Sequence, residues 1–148
     1  MSEYDQYEQE CSAIRAENQQ LLSEFVSWLT AAGLSSTTVD RHRSNVEFYI
    51  NKFLLYEDAT RPPAGVEEIS MFLGYWFIRK ALWASESSIK SNSTSLKKFY
   101  TFMCERGAVS DEALQNLKAR IKEDLPEWIA TVKRYDDPTI EPEGVWQF

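Results

Sequence analysis

Glycine and proline are scarce in this 148-residue chain, with five of each. Sandwiches and barrels need many turn residues, so the scarcity points to long helices and few connections. There is one histidine, His42, and there are two cysteines, Cys11 and Cys104. These offer no ligand spacing for a zinc site. Two distant cysteines outside any Cys-x-x-Cys pair read as reduced thiols. No segment approaches the roughly 18 uninterrupted apolar residues of a membrane span. A Gly-rich phosphate loop, a nucleophile elbow and a His-Glu-x-x-His motif are all missing. Met1 to Glu10 is acidic and polar, the reverse of a secretory signal. The expectation is a cytoplasmic protein with no membrane partner, no cofactor, no metal and no catalysis of its own.

What is present suffices for a core. Hydrophobic residues make up 43% and aromatics 14%, with five Trp and eight Phe, so one domain can bury a large apolar area without staples. The net charge is −7. That counts against a generally basic nucleic-acid binder and confines any such role to a local patch.

Five helical segments are expected. The first runs from about Gln9 to Ala32, fraying before Ile14, with Leu21, Leu22, Phe25, Val26, Trp28 and Leu29 in one stripe and Gly33 as its stop. A second opens at Leu34-Ser35-Ser36-Thr37-Thr38 and ends near Tyr56, with Val39, His42, Val46, Tyr49, Ile50 and Phe53 on its core face. Its single histidine reads as a packed core residue. After the Arg61-Pro62-Pro63-Ala64-Gly65 linker, a third helix spans about Val66 to Leu82, with Ile69, Phe72, Leu73, Trp76, Phe77 and Leu82 apolar. The fourth starts among Ser85, Ser87 and Ser88 and stops at Gly107. A fifth starts at Ser110-Asp111-Glu112 and is expected to kink, or to restart at Asp124, because Pro126 interrupts it. Residues 1–13 read as a polar extension, 14–135 as the helical domain and 136–148 as an irregular tail.

Paired carboxylates such as Glu67-Glu68 and Glu123-Asp124 lie near helix ends, where a solvated or dipole role suits them. The second and fourth helix openings are more informative. Between Ser87 and Phe102 there is no acidic residue, and Lys90, Thr94, Lys97 and Thr101 share a stripe, with Ser91 and Lys98 beside it. Hydroxyls, amides and cations around helix N-termini suit phosphates and base edges. The same residues also serve as plain caps and a wet surface, so composition leaves both readings open.

Several segments occur in an order that matches a known pattern. Leu22-x-x-Phe25-x-x-Trp28-Leu29 precedes Leu34-Ser35-x-Thr37-x-Val39, and a long helix then ends near Phe53-Leu54. Ile69-x-x-Phe72-Leu73 follows, and Ser95-Leu96-Lys97-Lys98-Phe99-Tyr100-x-Phe102-Met103 leads to Gly107. Over about Leu21 to Leu125 the chain resembles the N-terminal core-binding, SAM-like domain of tyrosine recombinases and phage integrases. The resemblance implies an all-α, orthogonal four- to five-helix bundle forming one arm of a clamp on duplex DNA. Its second and fourth helix openings would face the major groove. It implies DNA contacts at Arg41, Lys90, Thr94, Lys97 and Lys98, then at Asn45, Lys52 and Ser91. The family's His-x-x-Arg motif is missing, so cleavage would fall to a recombinase catalytic domain elsewhere. The alternative is a helical protein-interaction or dimerisation module, using an exposed Phe102, the third helix and the Trp146/Phe148 tail to bind a partner or another copy of itself.

Overall fold

Serine side chains set the starts of the long helices. In the computed structural model, which describes residues 2–136, α1 (Glu3–Ala31) begins on Ser2, whose Oγ accepts from the Asp5 amide at 3.1 Å. Ser35 caps α2 (Ser36–Phe48) in the same way, accepting from the Thr38 amide at 3.3 Å. The chain runs from α2 directly into a π-helical turn, Tyr49–Phe53. A 3-10 turn, Ala64–Glu67, precedes a third rod made of α3 (Ile69–Met71), a second π turn, Phe72–Trp76, and α4 (Phe77–Lys80). A capping box between Ser85 and Ser88 opens α5 (Glu86–Glu105). The Ser110 Oγ accepts from the Ala113 amide at 3.0 Å at the start of α6 (Asp111–Asp136). Gly33 and Gly107 follow α1 and α5 at φ 90° and 77°, left-handed positions that glycine enters without Cβ strain. The result is an all-α bundle, with no strand among the described residues.

α5 is the central helix. Its Ile89, Leu96, Phe99, Tyr100, Phe102 and Met103 are buried, as are Asn92, Ser93 and Ser95 on its other sides. α2 and α6 cover it on separate faces, and Phe25 of α1 packs edge-on against Phe99. Two buried tyrosines tie the linker to this core: Tyr49 donates to the Gly65 carbonyl at 2.6 Å and Tyr100 to the Pro62 carbonyl at 2.7 Å.

Several expectations change. α1 does not fray before Ile14. It runs continuously from Glu3, because Cys11 and Ile14 are buried with Leu55 in a satellite cluster, and Tyr7 donates to the Leu55 and Tyr56 carbonyls. Phe102 is buried, enclosed by Phe25 and Trp28 at ring-centroid distances of 5.5 and 5.8 Å, so it offers no interface. Leu82 is fully exposed rather than core, because the third rod ends at Lys80 and Ala81 turns to extended backbone. Pro126 does not break α6. Its missing N–H costs one hydrogen bond on an exposed face, while Trp128 and Val132 stay buried on the stripe begun by Leu114, Leu117 and Ile121. Cys11 and Cys104 are free thiols. Among the described residues no helix is long and apolar enough to cross a membrane. The Trp146/Phe148 tail lies outside the described residues.

Candidate functional site

The contact between α2 and α5 is polar at its centre. Ser91, Ser95 and Lys98 stand at i, i+4 and i+7 on α5, one face of a helix. Two serines there leave room for larger polar side chains from α2. Asn45 Nδ2 donates to Ser91 Oγ at 3.0 Å and to Ser95 Oγ at 2.9 Å. His42 Nδ1 lies 2.7 Å from Ser95 Oγ. His42 is buried, and its pKa is lowered by that burial, then by the positive charges of Lys98 and Arg41. The ring is therefore neutral at neutral pH. Ser95 Oγ, which accepts from Asn45, also shares one hydrogen bond with Nδ1 of the neutral ring, its direction set by the His42 tautomer.

These pairings fix the helix directions. His42 meets Ser95, Asn45 reaches on to Ser91, and Phe48 packs against Trp83 just before α5, with ring centroids 5.3 Å apart. Later residues of α2 thus meet earlier residues of α5, and the two helices run in opposite senses along their contact. Their N-termini lie at opposite ends of it. His42, midway along α2, thus meets Ser95, midway along α5, and the start of α5 lies toward the Phe48 end of α2.

What the fold does bring together is a shallow open groove of about 270 Å³, lined by Arg41, His42, Ser87, Lys90, Ser91 and Thr94. Arg41, Lys90, Ser91 and Thr94 were expected from the sequence. Ser87 and His42 were not assigned to the site, although Ser87 belongs to the same acid-free run. Lys97 and Lys98 stand half-buried one turn beyond Thr94, and Lys98 is close enough for its charge to depress His42. Asn45 is drawn into the helix contact, where its Nδ2 donates to two serines, so it holds the groove together rather than lining it. Lys52 is exposed on the first π turn, roughly 16 Å along the axis from Arg41, and is not part of the groove.

Charge in this groove is unevenly available. Lys90 Nζ is held 2.7 Å from Glu86 Oε2, and the other Glu86 oxygen binds Lys133 Nζ of α6 at 2.8 Å. The two lysines pull the Glu86 carboxyl down to about 2. Among the described residues Arg41, Lys97 and Lys98 form no ion pair. The Thr94 hydroxyl donates to the Lys90 carbonyl at 3.1 Å, which leaves its oxygen as an acceptor only. Ser91 keeps its own proton to give, since it accepts from Asn45.

A larger cleft of about 570 Å³ between the 3-10 turn and α6 is lined by Glu67, Asn116, Arg120, Glu123 and Asp124 among others. It holds no histidine, no cysteine and no buried titratable side chain. Among the described residues no group of three or more His, Cys, Asp or Glu side chains is placed to hold a metal ion. No protein-family model, curated protein or solved structure matches the chain.

Proposed function

We propose that this chain is a duplex-DNA-binding module with the SAM-like bundle of tyrosine-recombinase core-binding domains, and that strand cleavage belongs to another polypeptide. The observation that carries this reading is the groove on the first turns of α5. There Arg41 and Lys90 flank the hydroxyls of Ser87, Ser91 and Thr94, with Lys97 and Lys98 continuing the cationic face. Cations fix the phosphate backbone, and small hydroxyls add short-range bonds to phosphate oxygens or base edges. The −7 net charge bears less on this face than on the whole chain, because no carboxylate lines the groove and nearby Glu86 is already bound by two lysines.

The test is fluorescence anisotropy with a labelled mixed-sequence duplex over a range of salt. Binding that weakens steeply with salt supports the reading. Lys97→Glu combined with Lys98→Glu weakens binding while the helical circular dichroism signal stays. A wild-type chain with no salt-sensitive affinity for duplex DNA removes the proposal.

A further inference from the structure

The opposite end of α2 carries a second, chemically different groove. It measures about 390 Å³, and its apolar lining includes Phe53, Tyr56, Met71, Tyr75 and Trp76. Tyr56, Met71 and Tyr75 are 51%, 53% and 42% exposed. They account for half of the large hydrophobic side chains left exposed among the described residues, the others being Tyr4, Leu82 and Trp83. Single exposed apolar residues are ordinary, but several gathered in one concavity mark a contact surface.

Both walls are the π turns. Tyr49–Phe53 supplies Phe53, and Phe72–Trp76 supplies Tyr75 and Trp76. A π turn inserts one extra residue and re-aims the side chains around it. The rings are set as walls rather than as a flat stack: Trp76 meets Phe53 at 68° and Tyr56 at 69°, with centroids 5.4 and 5.6 Å away. Glu57, Asp58 and Glu68 add three carboxylates to the lining. All three are exposed, and none forms an ion pair among the described residues.

Tyrosine rings edged by carboxylates attract cations, and the fold already shows it. Lys80 Nζ donates to the Tyr56 hydroxyl at 2.9 Å and sits 4.9 Å from the centre of that ring, and the Arg79 guanidinium lies 3.9 Å from the centre of Tyr75, so the chain's own cations already occupy both rings. We infer that this groove docks a segment of another protein in which lysine or arginine alternates with apolar side chains. The apolar groups would rest on Met71 and Trp76, and the incoming cations would pair with Glu57, Asp58 and Glu68 rather than with the tyrosine rings that Lys80 and Arg79 already cover. An acidic rim repels nucleic acid and anionic membranes. It also disfavours a second copy of this chain, which would bring the same acidic rim. The inference rests on different residues from the DNA reading and stands or falls separately from it.

The probe is a fluorescein-labelled Arg-Leu-Arg-Leu-Arg peptide with blocked ends, compared with its Glu-Leu-Glu-Leu-Glu counterpart, against the whole chain. Binding is read by anisotropy and by the Trp76 indole resonance in a ¹⁵N spectrum. The basic peptide binds, shifts the Trp76 resonance and loses affinity as salt rises, while the acidic peptide does not bind. The triple variant Glu57→Gln, Asp58→Asn, Glu68→Gln keeps the shape and weakens binding about tenfold, as the loss of three rim ion pairs implies. Tyr75→Ser, at an exposed position, also weakens it. Equal binding of both peptides overturns the inference. So does an affinity untouched by the triple variant, a shift pattern that avoids Trp76, or concentration-dependent dimerisation that buries the groove.

Discussion

Glu86 holds the Lys90 ammonium at 2.7 Å, so removing its charge tests the proposed DNA face directly. Each phosphate neutralised by a cation contributes about −0.9 to the slope of log affinity against log salt. With Arg41, Lys97 and Lys98 engaged and Lys90 held by Glu86 at 2.7 Å, the wild-type slope is about −2.7, so affinity falls roughly 40-fold between 50 and 200 mM salt. Glu86→Gln keeps the side-chain size and releases Lys90. The slope then steepens to about −3.6 and the fall grows to roughly 150-fold, with tighter binding at the low-salt end. Lys133 loses its partner too, but the pair is exposed and carries little stability, so the thermal midpoint moves only slightly. The assay is a salt series of anisotropy titrations on wild type, Glu86→Gln and Glu86→Gln with Lys90→Met. Adding Lys90→Met returns the slope to the wild-type value. A Glu86→Gln slope equal to wild type refutes the reasoning, because Lys90 then does not face phosphate. Weaker binding at low salt refutes it equally.

Other perturbations read the scaffold. Ser95→Ala removes the buried hydroxyl shared by His42 and Asn45 and costs about 1–3 kcal/mol in urea unfolding. Ser91→Ala costs less, because Asn45 is half-buried and water can replace that bond. The depressed pKa of His42 means the unfolded chain binds its proton first. His42 therefore leaves stability complete above about pH 6.5 and lowers it as pH falls below that value; a urea series from pH 7.5 to 5 detects the decline, and His42→Gln flattens it. Gly74→Ala sets a Cβ 2.8 Å from Nε1 of buried Trp128 and destabilises by about 1–3 kcal/mol, seen as a lowered thermal midpoint.

Caps and stops were the most legible part of the fold. Ser35, Ser85 and Ser110 each sit directly before a helix in the sequence, and Gly33 and Gly107 directly after one. These are local signals that need no tertiary context. Pro126 was misleading because proline speaks only for its own hydrogen bond. The apolar stripe Leu114, Leu117, Ile121, Trp128, Val132 keeps its phase across it, and burial of that stripe outweighs one lost bond. Phe102 was misread for a related reason. A helix covered on one side has a single apolar face, whereas α5 is covered on several, so a position outside the main stripe is still enclosed. The two π turns left no trace in the spacing, since one extra residue per turn is indistinguishable from ordinary scatter in a stripe already rich in aromatics.

The site shows the same division. A run without acids between Ser87 and Phe102 marked α5, and four of the expected residues do line one groove. Sequence could not show that α2 and α5 run in opposite senses, because that follows from which of its serines meets Asn45 and His42. Direction decides the chemistry. Parallel helices would have aimed two sets of free amides at one anion, with cations secondary. In the antiparallel arrangement those amides point apart, and on the proposed DNA face the attraction would fall to the side chains of Arg41, Lys90, Lys97 and Lys98 instead. A face built on long flexible cations reads phosphate more than sequence. On the proposed reading, selectivity for a particular duplex would fall to Ser87, Ser91 and Thr94, short groups that would reach a base edge only with the backbone of α5 close against the DNA groove.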